Sequence, residues 1–143
     1  MKIIAAPSRI PDSDKVTVNV GLVDLAQVDL LINERFYANR TDFVRTAIRN
    51  QLQVHADAIQ QTVLRKRFVL GQYRYTRQEL EQAVASGQRF DIQVLGLAVI
   101  EQDVPAELAD AAIANLHVLG ALIASPAVRQ VLADRMPPSR ENS

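Results

Sequence analysis

The chain has 143 residues, 48% of them hydrophobic, which is enough for one ordinary domain or two small ones. It has no cysteine, which excludes disulfides and thiolate metal sites, and no apolar run of the roughly eighteen residues a membrane span needs. Sixteen Lys and Arg balance sixteen Asp and Glu, so a partner held by bulk charge alone is excluded and only a local excess can matter.

Residues 1–14 hold Pro7, Ser8, Pro11, Asp12, Ser13 and Asp14, a composition that predicts a flexible arm. Its first six residues, Met1 to Ala6, are too short for a signal peptide, and a cytoplasmic protein is expected. Lys15-Val16-Thr17-Val18-Asn19-Val20 then alternates, which predicts a strand with three valines on one face and Lys15, Thr17 and Asn19 on the other. After Gly21 the spacing turns helical, with Leu25, Val28, Ile32 and Phe36 as the apolar stripe. Tyr37-Ala38-Asn39 breaks it: Asn39 is expected to take the positive φ at the helix end, and Thr41 to cap a second helix. That helix carries Val44, Ala47, Ile48 and Leu52 inward and Arg45 and Arg49 outward.

A lone strand of six residues cannot satisfy its backbone or bury its valines, and the flanking sequence offers no hairpin partner. Pairing with the same strand of a second chain is the economical solution, giving an antiparallel ribbon covered by four helices and an obligate homodimer.

Over Lys15 to about Gln53 these residues resemble the ribbon-helix-helix DNA-binding proteins, the MetJ/Arc superfamily of bacteria and phages. The resemblance rests on the alternating strand, the two helices and the turn Asn39-Arg40-Thr41-Asp42-Phe43-Val44-Arg45, whose small polar residue, Arg, hydroxyl, acid and apolar pair follow the family pattern. Many members have Gly at the end of the first helix, where this chain has Tyr37 and Ala38. The resemblance implies double-stranded DNA as partner, read at a pseudo-palindromic operator by a bacterial transcriptional repressor. A two-stranded ribbon fits the major groove, where Lys15 suits guanine O6 and N7, Asn19 pairs with adenine, and Thr17 serves either base. The backbone amides of Thr41, Asp42 and Phe43, the Thr41 hydroxyl and the Arg40 side chain suit a phosphate at a helix start, with Arg45 as a further phosphate contact. Residues 1–67 carry ten Lys/Arg against seven Asp/Glu, and residues 68–143 six against nine, so the basic excess lies with this module.

Residues 54–68 continue the helical pattern as a connector ending in Arg65-Lys66-Arg67, with His55 as a structural imidazole. Residues 69–135 predict a small α/β module for oligomerisation or effector binding. Thr76-Arg77-Gln78-Glu79 is a capping box opening a helix that Gly87 closes. Phe90 to Ile100 and Leu116 to Ile123 are predicted strands, Ala106 to Ala114 a helix after Pro105, and Ser125-Pro126 the cap of a last helix. Val94-Leu95-Gly96 recurs as Val118-Leu119-Gly120, a weak two-fold strand-helix repeat that predicts parallel strands. Residues 136–143 predict a disordered tail.

The fold class expected is therefore α+β: a dimer-forming strand with two helices, then the α/β module. No glycine-rich phosphate loop, nucleophile elbow or metal-ligand cluster is present in the sequence, so neither catalysis nor a cofactor is expected. Asp103, Glu107 and Asp110 suit a helix dipole better than acid or base chemistry, and His117 is expected to be structural. The second module would join dimers into a higher oligomer on DNA, sense an effector, or hold a partner protein. The competing expectation is an antitoxin or plasmid-maintenance adaptor that binds a protein through that module and autoregulates its operon.

Overall fold

The computed structural model describes residues 2–4 and 13–137. They run β1 (Lys2–Ile4), α1 (Leu22–Asn33), α2 (Arg40–Val54), α3 (Ala56–Lys66), β2 (Val69–Tyr75), α4 (Arg77–Ala85), β3 (Phe90–Ile100), α5 (Ala106–Ala112), β4 (Ile113–Ile123) and α6 (Pro126–Leu132), with a closing 3₁₀ turn at Ala133–Arg135. The fold is thus mixed helix and strand. It divides into two compact units, with the boundary between Thr62 and Val63 inside α3 and with β1 belonging to the second.

In the first unit Lys15 to Val20 pairs with no strand among the described residues, and all six residues are exposed. Helix α1 ends in a Schellman turn: the Phe36 amide donates to the Leu31 carbonyl at 2.9 Å and the Arg35 amide to that of Ile32 at 3.0 Å. The left-handed residue there is Arg35, at φ 65°, which corrects the expectation for Asn39. Asn39 is extended at φ −163° and is itself the N-cap of α2, two residues before the Thr41 expected. Its carboxamide oxygen accepts from the Asp42 amide at 2.8 Å, while the Asp42 carboxylate accepts from the Ala38 amide at 3.0 Å. Asn outranks Thr as a cap, and this reciprocal pair fixes the start two residues earlier. The Tyr37 and Phe43 rings meet edge to face at 5.0 Å across the same junction.

The second unit is a four-stranded, all-parallel sheet in the order β1-β4-β3-β2. Its core is Leu80, Ile92, Val94, Ala98, Ile100, Ile113, Leu116, Val118, Leu122, Val128 and Leu132, where the inner faces of β3 and β4 meet α4, α5 and α6. The Thr76 capping box is present in full, with the Glu79 carboxylate accepting from the Thr76 amide at 2.9 Å. Strand β3 spans the predicted residues, whereas α5 is shorter than expected and β4 begins three residues earlier, at Ile113. Two arginines close that junction. Arg89 donates to the carbonyls of Asp110, Ala111 and Ile113, and Arg135 to those of Asp110 and Ile113 and to the Asp110 carboxylate. These bonds satisfy the last carbonyls of a helix only about two turns long.

Two strands are absent from the expectation. Lys2–Ile4 pairs with Ala121–Ile123, which corrects the flexible arm for those three residues; arm residues 1 and 5–12 and tail residues 138–143 lie outside the described residues. Strand β2 sits beside β3 in full register, Val69 against Val94 through Tyr75 against Ile100. Its Val69-Leu70-Gly71 aligns with Val94-Leu95-Gly96, which in turn aligns with Val118-Leu119-Gly120. All three glycines have positive φ, between 118° and 139°. In the two inner strands no other residue fits: a Cβ on Gly96 would lie 2.1 Å from the Gly71 carbonyl oxygen, and one on Gly120 2.0 Å from that of Gly96.

Candidate nucleic-acid interface

The sequence singles out two sets of side chains, and the structure places both in the first unit. Lys15, Thr17 and Asn19 lie on the exposed run before α1. Arg40, Thr41, Asp42, Phe43 and Arg45 occupy the first turns of α2, where the N-terminal end of the helix dipole is positive.

The amides at that end are distributed differently from the expectation. The Asp42 amide is taken by Asn39, and the Phe43 amide donates to the Asn39 carbonyl at 3.2 Å. Neither is available to a phosphate, so the donors left at the helix start are those of Arg40 and Thr41. The Asp42 carboxylate is committed to the turn as well.

Arg40 is not idle either. Its Nε and Nη2 each donate to a separate oxygen of Asp29 at 2.8 Å, a bidentate clamp from α2 back to α1. The clamp holds the Asp29 carboxyl below its ordinary range, chiefly through the hydrogen bonds from Arg40, and raises Arg40 in return. Both side chains are largely exposed, so water screens the pair and it contributes little net stability. Its effect is on geometry and charge: it braces the helix pair and cancels one of the positive charges near the α2 start. Arg45 and Arg49 are exposed.

The apolar residues of this unit define the rest of the site. Among described residues 13–62 none is buried. Val16 is 81% exposed, Val18 71% and Leu22 84%; Phe36, Val44, Ile48 and Leu52, predicted to face a core, are all at least half exposed. A helix pair this rich in apolar residues but without a core among the described residues presents half of an interface.

A family model described as the ribbon-helix-helix transcriptional regulator family matches residues 11–129. The chain belongs to this family. In this ribbon-helix-helix protein the match covers the exposed run, the helix pair and, of the sheet unit, β2 to the middle of α6, leaving out β1. Members of the family are DNA-binding regulators and bind DNA typically as dimers. Searches of the curated proteins and of the solved structures return no match.

For the rest of the ribbon-helix-helix chain the structure gives bland roles to the side chains set aside earlier. His55 lies at the break between α2 and α3, its ring 3.2 Å from the Gln51 carboxamide. His117 packs edge to face on Phe68 at 5.0 Å. Asp110 receives Arg135, and the Asp103 carbonyl receives Arg77 at 3.5 Å. Among the described residues no group of three or more His, Asp or Glu can hold a metal ion, and no helix is long and apolar enough to cross a membrane.

Proposed function

We propose that this protein is a homodimeric, sequence-specific transcriptional repressor that reads a pseudo-palindromic operator with an intermolecular β-ribbon. In this reading Lys15 to Val20 of two chains pair antiparallel, Val16, Val18 and Val20 cover the helix faces, and Lys15, Thr17 and Asn19 enter the major groove. The observation that carries it is the absence of any buried residue among 13–62 beside a full row of exposed valines and helix-stripe residues. A second copy supplies the missing half of that core, and the polar side of the same strand is then turned outward as a unit. Phosphates on either side meet the free Arg40 and Thr41 amides and the Thr41 hydroxyl, with Arg45 reaching the backbone farther along.

The domain roles follow: residues 15–53 bind DNA, 54–68 connect, and 69–135 serve oligomerisation or effector sensing. The buried core of that last unit favours a self-standing module over an adaptor tail that folds only on its partner.

Selection of bound duplexes from a random pool, followed by titration of the best site, tests the reading. Asn19→Ala is expected to cost about 1–3 kcal/mol at one base position per half-site and to leave the other positions unchanged. A uniform loss on all sequences would reject the groove assignment.

A further inference from the structure

Among the described residues nothing pairs with the outer edge of β2 over its whole length, and its one charge, Arg74, is paired with Glu101. Val69-Leu70-Gly71-Gln72-Tyr73-Arg74-Tyr75 contains neither Lys nor Pro, and Val69, Leu70 and Tyr73 are 46%, 69% and 37% exposed.

The three glycines say more. Each inner glycine leaves the space of its missing Cβ to the carbonyl of the strand on its β2 side: Gly71 fills the space at Gly96, and Gly96 the space at Gly120. Gly71 repeats the conformation, with φ 118°, but has no atom within 4 Å of that position. The edge therefore ends in an open socket of the kind that receives a strand backbone twice inside the sheet.

A kinked edge refuses a straight strand, because pairing on one side of the kink breaks it on the other. A strand with a matching kink is required, and this chain makes three. In a second copy β3 is enclosed on both edges, and β4, open over Ile113–Gly120 among the described residues, carries β1 over Ala121–Ile123, so a strand spanning its Gly120 would have to displace β1; β2 alone offers its glycine with the edge open on both sides. We infer that β2 pairs antiparallel with β2 of a second copy about a two-fold axis through Gly71. The two kinks then coincide. Val69 lies opposite the second copy's Tyr73, on the helix side, and Leu70 opposite its Gln72, on the outer side. The exposed apolar residues are covered in cross-strand pairs and no charge opposes its like. The contact closes on itself and makes one continuous sheet from two units.

This contact is separate from the ribbon proposed above, and sedimentation velocity of the full chain tells them apart. Val18→Asp breaks the ribbon and is expected to leave a dimer. Val18→Asp combined with Val69→Lys, a charge at a partly exposed edge position, is expected to sediment as a monomer with the circular dichroism of the sheet unit retained. Hydrogen exchange over residues 68–76 of Val18→Asp gives a second readout that needs no edge variant, with protection expected to rise with concentration. A monomer from Val18→Asp alone with unprotected β2 amides would overturn the inference and leave the ribbon standing. Val18→Asp assemblies that keep growing beyond a dimer with concentration would overturn it too, in favour of head-to-tail stacking. Val69→Lys alone is expected to remain dimeric through the ribbon; a monomer there would reject the ribbon dimer instead.

Discussion

Gly96→Ala is the sharpest perturbation the sheet offers. The added Cβ would sit 2.1 Å from the Gly71 carbonyl oxygen and 2.9 Å from its carbon, whereas real Cβ contacts essentially never fall below 3.0 Å. Both obstructing atoms are backbone, so β2 and β3 have to part by about an ångström at the middle of their shared ladder. Loss of one or two ladder bonds at about 1 kcal/mol each is added to about 1–3 kcal/mol for an L residue at φ 139°. The expected total, about 2–5 kcal/mol, is a large fraction of the roughly 5–15 kcal/mol that holds a domain together. Gly87→Ala is the matched control. That residue also has positive φ, 71°, as the Schellman residue after α4, but no atom lies within 4 Å of its Cβ position, so only about 1–2 kcal/mol of backbone strain is expected. Native-state hydrogen exchange of the β3 and β4 amides measures both costs in the unit concerned, whatever the other unit does. Equal losses in the two variants, or a loss under about 1 kcal/mol for Gly96→Ala, would refute the argument from close approach.

Other substitutions probe the remaining physical claims. Arg35→Gly is expected to raise the thermal stability of the helix pair by about 1 kcal/mol, because a left-handed Arg ends α1 at φ 65°; an unchanged or lower melting temperature would count against strain there. Asp29→Asn is expected to release Arg40 and strengthen binding to all duplexes alike, with the slope of log affinity against log salt steeper by about one; a change confined to one base position would contradict the phosphate role. Tyr75, whose hydroxyl is pushed up to about 12 first by burial and then by Tyr73 and Glu79, favours the fold in its neutral form. That contribution is fully present below the unfolded-state value of about 10 and is lost as pH rises toward 12, by up to about 3 kcal/mol. Tyr75→Phe is expected to flatten the fall in exchange-derived stability above pH 10, and a wild-type slope in the variant would exclude Tyr75 as its source.

Legibility followed the strength of local signals. Strand β3 and the α4 capping box were plain because eleven residues of apolar and β-branched character, and a Thr and Glu three apart, have few other uses. Strand β2 was not, since it follows directly on a basic helix end and interrupts its own apolar pattern with Gln72 and Arg74. Its signal was a third Val-Leu-Gly, at Val69, which only acquires meaning once the register is known. Strand β1, three residues long and followed by Pro7, carries no usable period and exists because β4 offers it an edge. In the candidate interface, residue identities marked a helix start but not the internal competition within it. Asn39 claimed the cap ahead of Thr41, and Asp29, eleven residues upstream and visible only as a polar residue on α1, claimed the Arg40 guanidinium.

If the helix pair closes its core only against a second copy, as proposed, its folding equilibrium contains the concentration of the chain itself. Dilution then acts on it as heat or urea acts on other domains, and a freshly made copy stays open to proteases until it meets another. Occupancy of a target by such a protein rises more steeply than its abundance. The gene it controls would respond to a threshold rather than in proportion.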